Sequence, residues 1–273
     1  MTTLTFIGAG NMSTSIIGGL IEQGYQPDHI TACDPNSDGL NAIQEKFGIH
    51  TATDNSIPST TCDVIVLAVK PQILKIVTLA LRDVIHSRQQ APMIISIAAG
   101  ISCEHIQQWL ETDIAVVRCM PNTPSLVGEG ASGLYANPYT SEQQKTIAEQ
   151  LMSAVGYATW VAEEHLIDAV TAISGSAPAY FFLLMEAMID AGIKQGLDKE
   201  SATKLTLQTA MGAATLAKGS DVDVAELRRR ITSPGGTTEQ AILSYENAGL
   251  RTIVEEAMQR CADRSVEMAK EFS

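Results

Sequence analysis

A chain of 273 residues with 45% hydrophobic and 18% charged side chains has the makeup of a globular protein with a real core, and its length suits one large or two modest domains. Its net charge of −13 argues against a nucleic acid or an anionic membrane surface as partner, because both reward basic patches. Only 5% of the residues are aromatic.

From the N-terminus, MTTLTF shows no basic segment leading into an apolar one, so no secretory leader is expected. The runs LTFI, ITAC, DVIVLAV, MIISIAA and IAVVRC read as strands, with LYA and ATWV as later, weaker ones. Helical patterns at 12–23, 38–46 and 71–85 fall between them. Such alternation builds a doubly wound parallel sheet, and the unbroken apolar runs VIVLAV and MIISIAA suit strands covered on both faces. After WVAEEH the strand signal stops, and the rest reads as four or five helices punctuated by Gly and Pro. The expected fold class is therefore α/β, with a sheet domain over residues 1–162 and an all-helical domain over 163–273.

The helix Pro178–Gly192 is apolar almost all round, and Glu186, Asp190 and Lys194 form its one polar line at i, i+4, i+8. A helix of this kind must be covered on most faces, and the helical half is small, so a second subunit is expected to cover it. The same two acids interrupt APAYFFLLMEAMIDAG, the longest apolar stretch, and no membrane span is expected. Five cysteines, Cys33, Cys62, Cys103, Cys119 and Cys261, are scattered without a CxxC pair, which points to free thiols and a cytoplasmic protein.

FIGAGNMS follows the first strand and opens a helix, giving Gly8-x-Gly10-x-x-Ser13. Gly8 allows a tight turn, and Gly10 lets the backbone approach a pyrophosphate held by the amides and dipole of the helix N-terminus. Ser13 stands where a third glycine is usual, and is small enough for close packing. Without a ligand, the same pattern is a plain strand-to-helix turn. Asp34 ends the second strand, 24 residues after Gly10, where an acid accepts ribose hydroxyls and disfavours the extra phosphate of NADP. No Arg lies in DPNSDGLN, although Asn36 and Ser37 can donate to a phosphate and Asp34 or Ser37 can cap the next helix.

Three more motifs end strands: AVKP (Ala68, Val69, Lys70, Pro71), SIAAG, which contains Ala98, and RCMPNTP (Arg118 to Pro124). The carboxyl ends of parallel strands are where open α/β sheets bind ligands. In the helical half, ISGSAPAYFF starts a helix with Pro178 behind Ser176, and SPGGTT (Ser233 to Thr238) precedes another. The threonines of SPGGTT can cap that helix; a glycine-exposed helix N-terminus is equally a carboxylate site.

The set GAGNM, AVKP, SIAAG, RCMPNTP, SGSAPAY and SPGGTT, in this order, resembles the pyrroline-5-carboxylate reductase family over nearly the whole chain. The resemblance implies a Rossmann domain and a C-terminal helical domain interlocked in a homodimer that can assemble into rings. It also implies reduction of a cyclic imino acid by NADPH or NADH in the last step of proline biosynthesis. Carried over by position, Gly8, Gly10, Asn11 and Met12 would cradle the pyrophosphate, and Asp34 and Asn55 would lie by the adenosine ribose. Ala68 to Pro71 with Ala98 would line the path to the nicotinamide. Ser233, Gly236, Thr237 and Thr238 would hold the substrate, with Glu164 near it. Arg230 is a departure, standing where relatives often carry an uncharged residue. In this reading the first loop holds the hydride donor and SPGGTT the acceptor.

A protonated imine needs no strong acid, since hydride transfer to its carbon leaves a neutral amine. The histidines (His29, His50, His86, His105, His165) fall outside the motif loops and none has metal-ligand spacing, so no metal is expected. Thr238 is the expected hydrogen-bond partner of the ring nitrogen. A β-hydroxyacid dehydrogenase would need a catalytic Lys in the long helix, which SGSAPAYFFLLMEAMIDAG lacks. A non-catalytic dinucleotide sensor would have no use for SPGGTT.

Overall fold

The computed structural model describes residues 2–272. The sheet half runs β1 (Leu4–Ile7), α1 (Asn11–Glu22), β2 (Ile30–Cys33), α2 (Ser37–Phe47), β3 (His50–Ala52), α3 (Ser56–Ser59), β4 (Val64–Leu67), α4 (Pro71–His86), β5 (Met93–Ser96), α5 (Cys103–Leu110), β6 (Val116–Met120), β7 (Gly130–Ala136), α6 (Glu142–Ser153) and β8 (Gly156–Trp160). Its strands form one eight-stranded sheet in the order β3-β2-β1-β4-β5-β6-β7-β8. The order reverses between β1 and β4, the switch point at which doubly wound sheets open a crevice.

Strand alternation decides which side chains cover which face. Leu4, Phe6, Val64, Val66, Met93 and Ile95 face a core closed by Ile16, Ile17 and Leu20 of α1, Leu40 and Ile43 of α2 and Leu151 of α6. Ile7, Ile65, Leu67, Ile94 and Val116 face the opposite core, closed by Leu74, Leu81 and Ile85 of α4 and Ile106, Trp109 and Leu110 of α5. Both faces being buried is why these strands read as unbroken apolar runs.

One pairing differs from the expected all-parallel sheet: β7 runs antiparallel to β6. The 121–129 connection holds only a 3₁₀ turn, Thr123–Val127, and is too short for the crossover that a parallel neighbour requires. β8 then returns parallel to β7 through α6, which starts in a full capping box between Ser141 and Gln144.

The helical half comprises α7 (Leu166–Val170), a π turn at Thr171–Gly175, α8 (Ala177–Lys194), α9 (Lys199–Lys218), α10 (Val224–Arg230), α11 (Thr237–Asn247) and α12 (Leu250–Phe272). Two compact units result: Met1–Ser176 with Arg260–Ser273, and Ala177–Gln259. They divide the chain elsewhere than at 162/163, for reasons of packing. Gly133 of β7 has no room for a side chain beside Val170, and Asp168 of α7 accepts a hydrogen bond from Ser265 and pairs with the Arg118 guanidinium, all within the first unit. The end of α12 closes over Gly100, whose left-handed backbone (φ +76°) lies against Met268 and Ala269.

In the second unit α8 pairs with α9, where a Cβ added at Gly192 would meet Ala202 and Leu197 at ordinary contact distance. Ala177 is the only buried residue of α8 in the single chain, whereas Phe181, Phe182 and Leu183 are each more than 60% exposed. Leu205, Met211 and Leu216 of α9 and Ile253 of α12 are exposed too. By length and composition the stretch Leu166–Lys194 is apolar enough to cross a membrane. So much apolar surface on one soluble-sized unit is the mark of an interface.

Candidate active site

The first glycine loop sits at the carboxyl end of β1, beside the switch point. Gly8 has φ +100°, and a Cβ there would meet the Ala68 carbonyl oxygen at 2.7 Å. The loop is tied on both sides, Gly8 N–H donating to Cys33 O (2.8 Å) and Ala68 N–H to Ile7 O (2.8 Å). Ser13 does more than fit where a glycine is usual: buried, it donates its hydroxyl to Gly8 O at 2.5 Å and locks the turn to the helix.

Gly10 caps α1 with extended backbone, and no side chain caps that helix. A Cβ at Gly10 would meet nothing within 4 Å. The first amides of α1 are thus left facing open space, with Asn11 exposed beside them, a fit for an anionic pyrophosphate. Neighbouring strands add a second uncapped N-terminus: Pro71 starts α4 behind exposed Lys70, with Ala68 and Val69 half-buried. Ala98 is buried just past β5, its N–H directed at Ser96 Oγ (3.4 Å). Gly8 to Met12, Ala68 to Pro71 and Ala98 therefore line the carboxyl ends of three adjacent strands, β1, β4 and β5.

Asp34, at the end of β2, reaches this loop. One carboxylate oxygen accepts the Ala9 N–H (3.0 Å) and the other the Asn36 N–H (2.9 Å). Asn36, not Asp34 or Ser37, caps α2, its Oδ1 accepting from Asp38 and Gly39 N–H. Asn55 precedes α3 past the end of β3, half-buried and with no side-chain capping bond.

Glu164 lies in a different cluster. It accepts the Cys103 N–H (2.7 Å) and stands 3.4 Å from Nη1 of Arg118, whose Nη2 is 3.5 Å from Asp168. Arg118 is buried, and its partners lie 46 and 50 positions along the chain, so nothing local in RCMPNTP announces this ion group. Asn122 of the same motif is also tied within the fold: it is buried, donating to Ser174 O (3.0 Å) and accepting from Ala131 N–H (2.9 Å).

In the second unit, SPGGTT forms a turn with Gly235 at φ +72°, and Gly236 caps α11. Neither threonine caps the helix: there is no side-chain cap, and among the described residues the hydroxyls of Ser233, Thr237 and Thr238 have no partner. Thr238 is half-buried, Thr237 and Ser233 exposed. Glu239 steadies the turn by accepting the Gly235 N–H (2.7 Å). The first amides of α11 are left without a side-chain cap, as a carboxylate cradle would require.

The basic run before it is neutralised within the unit. Arg229 and Arg230 both donate to Glu226, while Arg228 and Arg251 converge on Glu246. Arg229 first and Arg230 second hold the Glu226 carboxyl at about 2, well below the usual range. Because the folded value is depressed, this pairing stabilises the unit above the ordinary carboxylate range and is lost as pH falls towards 2. An NMR titration is expected to place the Glu226 midpoint near that value, and in the Arg229→Gln/Arg230→Gln variant back in the ordinary range.

Other reactive groups serve packing. Burial pushes the thiols of Cys33 and Cys119 up to about 12 and raises those of Cys62 and Cys103, so these cysteines are inert in the fold. His86 bonds the Leu110 carbonyl and His105 the Ser102 hydroxyl.

The comparisons with known proteins bear on the whole chain. Residues 164–268 match the family model for pyrroline-5-carboxylate reductase dimerisation, and residues 3–100 that for NADP oxidoreductase, coenzyme F420-dependent. A pyrroline-5-carboxylate reductase of Pseudomonas aeruginosa is 52% identical over 98% of this chain and 97% of its own, and one of Vibrio alginolyticus 44% identical over 98% of each. The solved structure of the Coxiella burnetii enzyme superposes with a TM-score of 0.94 at 43% identity, covering 98% of both chains. The Plasmodium falciparum enzyme, solved with NADP bound, gives 0.85 at 29% identity, again covering 98% of both. With the glycine loop, the uncapped helix N-termini and the dimerisation half all in place, the chain belongs to the pyrroline-5-carboxylate reductase family.

Proposed function

We propose that this chain reduces 1-pyrroline-5-carboxylate to L-proline with NADPH or NADH, the last step of proline biosynthesis. The observation that carries this reading is that both glycine loops end in helices whose first amides no side chain caps, in a chain that matches the family end to end.

The bound reduced nicotinamide supplies the hydride. The chain's contribution is binding and orientation. Gly8, Gly10, Asn11 and Met12 hold the pyrophosphate, and Asp34 both braces that loop through Ala9 and stands beside the ribose with Asn55. Ala68 to Pro71 and Ala98 border the nicotinamide. Ser233, Gly236, Thr237 and Thr238 take the substrate carboxylate and ring, with the Thr238 hydroxyl directed at the ring nitrogen. The imine arrives protonated, so no residue need supply a proton at the transition state. Glu164 acts at a remove, through Arg118 and the start of α5. On this reading the functional division falls at 162/163, residues 1–162 holding the cofactor and 163–273 the substrate and the dimer contact.

The exposed faces of α8 and α9 are the dimer surface rather than a membrane contact: Glu186 and Asp190 would have to enter the bilayer. Dimers built on such faces can assemble further into a ring. The five free cysteines support a cytoplasmic location.

The test is loss of nicotinamide absorbance with racemic pyrroline-5-carboxylate, for wild type and Thr238→Ala. Wild type is expected to turn over, and Thr238→Ala to lose kcat by roughly tenfold, the value of one hydrogen bond to a charged group. Dinucleotide binding without turnover would overturn the reading; unchanged kcat in the variant would remove Thr238 from it.

A further inference from the structure

We infer that Asp34 makes this reductase an NADH enzyme, discriminating against the 2′-phosphate of NADPH. The inference rests on the reading above, in which the Gly8–Gly10 loop holds the dinucleotide and the adenosine ribose falls at the carboxyl ends of β2 and β3.

Three observations point the same way. First, the Asp34 carboxylate cannot swing aside for a phosphate without giving up two hydrogen bonds, one of which fixes Ala9 inside the glycine loop. The charge is therefore held where the ribose hydroxyls come closest, and suits two neutral hydroxyl donors better than a second anion. Second, the usual anion donors at the start of α2 are taken. Asn36 Oδ1 occupies the Asp38 and Gly39 amides, and Asp38 places another carboxylate in that first turn. The dipole of α2 is thus already answered by an acid. Third, the described stretch from β1 through β3, which forms this edge, brings no cation to reverse the balance. Lys46 is the only Lys or Arg before Lys70, and it lies in the last turn of α2, nine residues or about 14 Å of rise from Ser37. Its ammonium rests over the Phe47 ring at 4.9 Å. Asp54, past the end of β3, adds a third carboxylate at this edge.

A phosphate monoester carries close to two negative charges at neutral pH, so it meets repulsion here that a ribose hydroxyl does not. Asn36 and Ser37, both exposed, remain as neutral donors, so NADPH is disfavoured rather than shut out. The relatives' association with NADP does not bind this chain to it, since the discriminating groups are few and local.

The decisive measurement is binding, independent of turnover. Fluorescence titration of the whole protein with NADH and with NADPH, and calorimetry with ADP-ribose and its 2′-phosphate, are expected to favour the unphosphorylated member of each pair by tenfold or more. The gap should narrow at high salt, because exposed charges are screened within roughly a Debye length of 10 Å at 0.1 M. Asp34→Ser should close it. Ser37→Arg, which leaves both Asp34 hydrogen bonds in place, should narrow it at least threefold, and so carries the test even where Asp34→Ser folds poorly. NADPH binding as tightly as NADH in the wild type overturns the inference, as does a gap that neither salt nor Ser37→Arg alters. Failure to bind any of the four ligands overturns the glycine-loop reading itself.

Discussion

Gly8→Ala is expected to abolish useful dinucleotide binding, raising Kd by roughly a hundredfold, or about 3 kcal/mol. The reason is in the backbone. Gly8 has φ +100°, which an L side chain rarely adopts, and the added methyl carbon would sit 2.7 Å from Ala68 O and 2.9 Å from Ala68 C. These are main-chain atoms of the strand end beside it, so they cannot rotate away. Either the loop or the end of β4 must move, and both line the cofactor crevice. The strain and clash together should also lower stability by about 2–3 kcal/mol. Gly10→Ala separates the two effects. Gly10 has φ −76°, and its new methyl would enter empty space. Its thermal midpoint should therefore stay close to wild type while Kd still rises about tenfold, because the methyl occupies the pyrophosphate's approach. Circular-dichroism melts beside nicotinamide fluorescence titrations read both quantities. A Gly8→Ala protein that binds as wild type would remove this loop from the site.

The second large effect is at Arg118. Replacing this buried guanidinium by methionine leaves Glu164 and Asp168, both mostly buried, without the cation they share. Each keeps one hydrogen bond, Glu164 from the Cys103 N–H and Asp168 from the Ser265 hydroxyl, but those donors are neutral. Leaving buried charge uncompensated costs about 3–5 kcal/mol, and the long contacts of 3.4 and 3.5 Å put Arg118→Met near the lower end. Adding Glu164→Gln and Asp168→Asn should restore about half of that loss, since the uncompensated charges go with them. Urea titration of the single and triple variants checks this. An Arg118→Met protein as stable as wild type would mean the cluster contributes nothing. The kinetic corollary is a split: activity should fall with the lost order around α5 and recover in the triple variant, as it would not if Glu164 itself touched the substrate.

Much of the fold was legible because its signals are local. Buried parallel strands write themselves as apolar runs, and glycine at a strand-to-helix turn marks a place where the backbone must come close to something. What escaped depends on residues far apart in the chain. β3 carries no strand signal of its own, because His50–Ala52 has three residues and no apolar pair, and is recruited only by lying beside β2. The reversed direction of β7 follows from the shortness of the connection before it, which composition does not show. Asp34 was visible as an acid in the right place, but its grip on Ala9 required the β1 and β2 ends to be side by side. For SPGGTT the residues allowed either capping threonines or open amides, and only coordinates distinguish a hydroxyl turned towards its helix from one left unpaired.

The discontinuous first unit has a consequence for how the molecule comes into being. Ser265 reaches Asp168 across 97 positions and Cys261 reaches Ser176 across 85, while the whole second unit is synthesised in between. As the chain leaves the ribosome, the parallel sheet can assemble early, but the seat of α12 over Gly100 stays bare until the final turns emerge. Contacts of such long sequence separation carry a high loop-closure cost and form late. The cofactor-type unit, first to begin folding, is thus the last to be finished. A refolding experiment that follows Trp109 and Trp160 separately should see the sheet's signal settle before protection appears around Asp168.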